Sequence, residues 1–246
     1  MTVAEITPRR GGTRRRHGPL SREVVLRRGI GLADAEGVDA LTMRRLGQEL
    51  GVQAMSLYNH VANKADLLDG ITGTLLADME IPRAEGLCWE DGCRVVAHAF
   101  RALAHEHPHL FPLILDRPLS APESLPPFEA ALAILRRGGF EVEPALCAFH
   151  ALAAYVGGFA LGDISELGLG RPPVPFASYD MLNPDELAAT YPHVAEALPV
   201  LARRRRDEAF VFGLEALIVG LRDQLDQTGR GRPHQELGRE SDSPRG

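Results

Sequence analysis

The chain is poor in the residues and patterns that most enzymes and stapled or membrane proteins rely on. Its three cysteines, Cys88, Cys93 and Cys147, are odd in number and scattered. They make no disulfide framework, and none stands in the paired CxxC spacing of a structural zinc site. There is no GxxxxGK[ST] phosphate loop, no HExxH and no GxSxG elbow. The glycines between Gly162 and Gly170 follow no strand pattern and precede no helix pattern, so they are not a dinucleotide fingerprint. These absences argue against an enzyme; no catalytic residue and no cofactor are expected. Apolar runs are broken by charge, Gly or Pro short of the roughly 18 residues of a membrane span, and no apolar segment follows the first Met. A cytoplasmic protein with no membrane partner is expected.

Charge is present but unevenly placed. The net charge is −6, yet residues 1–64 carry eleven Lys/Arg against six Asp/Glu, which makes that stretch +5 and leaves −11 on the remainder. A basic end on an acidic body is the footprint of a nucleic-acid-binding module attached to something else. The first 18 residues hold Arg9, Arg10, Arg14, Arg15 and Arg16 with little to pack, and read as a disordered basic arm. Residues 229–246 are polar and aromatic-free and read as a disordered tail.

Between these ends the periodicity is helical, with no convincing strand. Ser21 caps a helix carrying Leu26, Ile30 and Ala33 on one face, stopped by Gly37. Thr42 starts a second, with Met43, Leu46 and Leu50 inward, and Gly51 supplies a left-handed stop. A third covers about 53–60, and Asn63 with Asp66 gives a capping-box-like start to a fourth. Further helices are expected near 64–79, 89–106, 124–137, 143–162, 185–197 and 203–226, with a Gly/Pro-rich loop over 163–184. The fold class is therefore all-α: a disordered arm at 1–18, a small three-helix head at 19–66, a larger helical body at 67–228 and the tail at 229–246.

Leu41 to Lys64 reads as two short helices hinged at glycine, a helix-turn-helix. The second helix of such a pair lies in the DNA major groove. Here it offers Gln53, Ser56, Tyr58, Asn59 and His60 outward, while Val52, Leu57 and Val61 pack inward. Gln and Asn suit the donor and acceptor edge of adenine, Tyr and Ser hydroxyls reach phosphate, and Ala54 and Met55 can meet a thymine methyl.

The string Leu50-Gly-Val-x-x-x-x-Leu-Tyr-x-His-Val-x-x-Lys64 resembles the recognition helix of the TetR family, and with its flanking helices the resemblance covers about residues 21–75. It implies a homodimeric repressor that binds a palindromic double-stranded DNA operator and is released by a small-molecule inducer held in the C-terminal domain. Carried over by position, Arg44 contacts DNA from the first helix of the motif, Gln53, Ala54, Met55, Ser56, Tyr58, Asn59 and His60 line the groove, and Lys64 holds phosphate. Ala54 and Asn59 depart from the tetracycline repressor at those positions, so no operator sequence carries over. The segment from His107 to Phe111 and the apolar 143–162 helix resemble the C-terminal domain of the same branch, more loosely.

The 143–162 helix is apolar almost all round, with Leu146, Phe149, Leu152, Tyr155, Val156 and Phe159 among small residues such as Ala151, Ala154 and Gly158. Such a helix must be buried on every side. With the last helix, bearing Phe210, Phe212, Leu214 and Ile218, it can form a four-helix dimer interface. A mostly apolar pocket between helices is expected, with His98, Arg101, His105, His150 and Tyr155 as its candidate polar handles. His105, His107 and His109 invite a metal, but Pro108 breaks the helix there and the helix C-terminus favours histidine without an ion; no metal site is expected. The run Arg203 to Arg206 circles a helix start and reads as solvated surface or ion pairs.

Overall fold

The computed structural model describes residues 19–79, 81, 86–117, 121–166, 184–201 and 205–230. Every regular element among them is helical, so the all-α expectation holds. The expected basic arm, most of the 163–184 loop and nearly all of the expected tail lie outside the described residues.

The head starts where local chemistry says it should. Ser21 accepts from the Val24 amide at 3.2 Å and opens α1, Arg22–Glu36. Thr42 accepts from the Arg45 amide at 3.1 Å and opens α2, Met43–Leu50. Gly51 ends α2 at φ 69°, a left-handed conformation that a Cβ would strain. α3 is only Ala54–Leu57, shorter than the expected 53–60, because the chain tightens into turns from Tyr58. Asn63 accepts from the Asp66 amide at 3.0 Å and opens α4, Lys64–Asp78.

The body comprises α5 (Trp89–Glu106), α6 (Phe111–Asp116), α7 (Leu125–Arg137), α8 (Val142–Glu166), α9 (Pro184–Thr190), α10 (Pro192–Leu201) and α11 (Arg206–Arg230). Four corrections to the expected elements follow. α6 was not anticipated, because six residues are too few to show a helical period. The expected 185–197 helix is two, split at Tyr191 because Pro192 begins a new first turn. α8 runs four residues past 162, and α11 reaches Arg230, two beyond the expected end of the body. Within α8, Val142–Ser165 has a mean hydropathy of 1.6 and is long and apolar enough to cross a membrane by length and composition. The runs within it are nevertheless broken as expected, by Glu143 and Pro144 at one end and by Gly157, Gly158, Gly162 and Asp163 further on.

Two apolar clusters hold these helices. One joins α1 to α4 with Leu103, Leu110, Phe111, Ile114, Ala160 and Ile164 of the body, so head and body share a core. The other fills the body around α8, which packs on α5, α7 and α11. Water-excluded apolar area is the main force holding each together.

Candidate nucleic-acid interface and ligand cavity

The helix-turn-helix is closed by backbone and by one glycine. The Val52 amide donates to the Gly47 carbonyl at 2.9 Å. A Cβ at Gly47 would lie 3.0 Å from the Val52 oxygen and 3.2 Å from the Ala54 nitrogen, so a larger residue would push the turn outward by a few tenths of an ångström. Leu57 and Val61 are fully buried beneath α3. With that face anchored, the opposite one turns to solvent: Arg44, Gln53, Asn59 and Lys64 are exposed, Met55 is 72% and Tyr58 45% exposed, and Ala54, Ser56 and His60 are partly exposed. The structure thus brings all nine sequence-nominated residues to the surface of one motif.

Electrostatics distinguish two neighbouring arginines. Arg45 is held by Glu36 and Glu49. Arg44 and Lys64 make no ion pair among the described residues. Lys64 sits at the first position of α4, where the positive end of the helix dipole disfavours a cation and favours an anion. A phosphate beside Lys64 would meet both.

The head is tied to the body by three polar links that sequence reasoning missed. Arg22 on α1 donates to Glu123 at 2.8 Å and to Asp66 at 2.9 Å. The Arg22 guanidinium, aided by the Ala62 amide, holds the Asp66 carboxyl below its usual range. His107 lies 2.8 Å from Asp34, and Arg117, paired with Asp69, donates to the Ala65 carbonyl at 3.2 Å. Partners 44 to 101 residues apart leave no mark in a local pattern.

A cavity of about 530 Å³ lies in the body, walled by residues of α4 to α8. Its lining is mostly apolar, with the Phe100, Phe128 and Phe149 rings and with Arg117, Ser124, His150 and Cys93 as its polar groups. Burial pushes the Cys93 thiol up to about 12, so it stays protonated and unreactive at neutral pH. Of the five nominated handles only His150 is in this wall.

The other four gather on the side of α8 that faces α11. Arg101 binds Asp163 at 2.6 Å and Asp207 at 2.8 Å, and lies over the Phe210 ring at 4.6 Å. His105 approaches Asp163 at 3.3 Å, the Tyr155 hydroxyl donates to the Phe210 carbonyl at 2.8 Å, and His98 packs edge-on against Phe210. Each has a contact within the subunit, and none of the four lines the cavity. Arg206, read as solvated surface or an ion-pair partner, pairs with Asp163 at 2.5 Å.

Asp163 is the hub of this cluster. Burial would raise its carboxyl, but the hydrogen bonds from Arg101 and Arg206 outweigh that and hold it below its usual value of 3.8. A depressed folded value means stability that is present above the unfolded value and lost as pH falls through the folded one. Wild-type protein should lose part of its stability below about pH 4. Asp163→Ala, which removes the buried carboxylate shared by Arg101 and Arg206, should cost about 3 kcal/mol at neutral pH, roughly 10 °C in melting temperature, with less of that acid loss left to show. Melting curves from pH 3 to 8 check this; a variant as stable as wild type at pH 7 would contradict it.

The model of bacterial regulatory proteins of the tetR family matches residues 25–71, and that of the tetracyclin repressor-like C-terminal domain matches residues 81–225. The class E tetracycline repressor protein of Escherichia coli is 31% identical over 210 residues, 85% of this chain and 93% of the relative. Among solved structures, apo ActR of Streptomyces coelicolor superposes with a TM-score of 0.74 at 29% identity, over 86% of this chain and 99% of ActR. ActR in complex with actinorhodin gives 0.71 at 30% identity, over 87% of this chain and all of ActR.

Proposed function

Because the chain belongs to the TetR family of DNA-binding transcriptional regulators, we propose that it is a repressor that binds a palindromic operator as a homodimer and leaves it when a small, largely apolar molecule fills the body cavity. The observation that carries this reading is the anchored α3 with its polar face in solvent, beside two cations that no described carboxylate has taken. Gln53, Ala54, Met55, Ser56, Tyr58, Asn59 and His60 line the major groove, and Arg44 and Lys64 hold phosphate. Residues 19–66 act as the reading head and 67–228 as the sensing and dimerising body.

Two exposed apolar faces support the homodimer. On α11, Phe212 is 78% exposed beside Val211, Ala216 and Val219. On α8, Leu146, Ala151, Ala154 and Gly158 are exposed at helical spacing. A large unpartnered apolar patch marks an interface, and small residues let backbones approach. A subunit contact of this kind accounts for the long apolar α8 without a membrane, in keeping with a protein that acts on DNA in the cytoplasm. Two heads related by a two-fold axis read half-sites about one DNA turn, roughly 34 Å, apart.

Repression and ligand release draw on relatives: tetracycline repressors, the DrrR1 repressor of Streptomyces coeruleorubidus, and ActR in complex with actinorhodin. Duplex from the chain's own promoter region should be bound about a thousandfold or more tightly than random duplex at physiological salt. Gel shifts with both decide it, and equal affinity would sink the reading.

A further inference from the structure

We propose that Arg22 is a positioning residue for DNA reading: with Asp66 it clamps the turn that carries Tyr58, Asn59 and His60, and through Glu123 it fixes that turn to the body. The inference rests on the DNA-binding reading above and adds a residue that acts through the reading face without joining it.

The need for a clamp comes from the shortness of α3. The helix ends at Leu57, so three of the nominated reading residues stand on the irregular chain between α3 and α4. The His60 and Val61 amides both donate to the Leu57 carbonyl, at 2.9 and 3.0 Å, and tie the start of this turn to α3. The next polar groups along, the His60 carbonyl and the Ala62 amide, are met by side chains instead. Nη1 of Arg22 donates to the His60 carbonyl at 3.1 Å, and the Ala62 amide donates to Oδ2 of Asp66 at 2.6 Å. Arg22 and Asp66 are themselves joined twice, Nη2 to Oδ1 at 2.9 Å and Nη1 to Oδ2 at 3.2 Å. One guanidinium and one carboxylate thus close on residues 60–62 from both polarities of the backbone.

The geometry asks for a guanidinium and not merely a cation. The Arg22 head lies against α4 at Gly70, where a Cβ would stand 2.9 Å from Nη2. Its remaining nitrogen, Nε, donates to Oε1 of Glu123 in the body at 2.8 Å. All three side chains are partly buried, where charge-assisted hydrogen bonds are short and directional. A lysine at this position has no planar fork with which to serve three acceptors at once. Side chains read base edges precisely only when the shell beneath them is locked, and here the lock is on the backbone of the reading turn itself.

Anisotropy titrations of the full chain on promoter and random duplex, across a salt series, test this. Arg22→Lys keeps the charge and loses the fork, so promoter affinity should fall about tenfold or more while random-duplex affinity and the salt slope stay as in wild type. Asp66→Ala removes a carboxylate two residues from Lys64, which by charge alone raises affinity for any duplex. Positioning predicts the opposite sign for the promoter: weaker binding there, with random duplex bound at least as tightly. Circular dichroism and sedimentation on the same samples check that the compared proteins are folded and equal in mass. The inference is overturned if promoter preference survives Arg22→Lys, or if random-duplex affinity falls in step with promoter affinity. Should Arg22→Lys fail to fold, Asp66→Ala decides by the same ratio. A wild type without promoter preference refutes the function beneath, whereas a preference that both variants retain refutes this inference alone.

Discussion

Replacing Tyr58 and Lys64 together by alanine should lower affinity for the promoter duplex by a hundredfold or more while the protein stays folded and dimeric. Neither side chain supports the fold: Tyr58 is 45% exposed, and Lys64 is exposed with no ion pair among the described residues. Lys64 is also placed against the dipole of α4, so its loss in the free protein is neutral or slightly stabilising. On DNA the balance reverses, because phosphate attracts both the lysine and the helix end. Each lost contact is worth about 1 kcal/mol, and a dimer loses four, roughly 4 kcal/mol in all. With one phosphate released per head, the slope of log affinity against log salt should fall by about 2. Anisotropy titrations across a salt series, with sedimentation on the same samples, read all of this. Unchanged affinity and slope would remove α3 and the start of α4 from the interface.

Phe212→Asp should convert the dimer to a monomer at micromolar concentration and, through that, abolish tight operator binding. Phe212 is 78% exposed and has almost nothing to pack on within its own subunit, so the substitution leaves the described core intact. In a two-fold interface the carboxylate appears twice, and burying it without a partner costs several kcal/mol at each appearance. DNA affinity falls because a single head holds only a half-site. Sedimentation should show half the wild-type mass, and helical circular dichroism should be little changed. A variant that still sediments as a dimer would move the interface elsewhere; a wild type that is monomeric at the same concentration would remove it.

The parts of this fold readable from sequence are those whose causes are local. Ser21, Thr42 and Asn63 each accept a backbone hydrogen bond from a residue three positions on, so their helix starts are visible in four-residue windows. The turn at Gly51 and the inward positions of Leu57 and Val61 are equally local, which is why the nominated reading face emerged at the surface intact. α6 was not readable, because six residues with Pro112 at their start carry no full period. The break at Tyr191 had a signal, Pro192, that the apolar spacing on either side masked.

The ligand site divides the same way. That a mostly apolar pocket should lie between helices follows from composition and from the unbroken apolar character of α8. Which side chains face it does not, because α8 is apolar on both sides and helical spacing alone cannot tell the cavity wall from the Asp163 hub. Arg101 and His105 went to the Asp163 hub, His98 and Tyr155 to Phe210 beside it, and His150 to the cavity. Arg117 reached the wall through a helix that no pattern announced.

Sequence alone was enough for the all-α class, the helix-turn-helix and its exposed polar face, since capping, turning and amphipathic spacing act over a few residues. Tertiary structure alone decided the cavity's lining and the pairing of head to body through Arg22, His107 and Arg117. Those depend on where separate helices come to rest against one another, and that is settled by the packing of the whole apolar core.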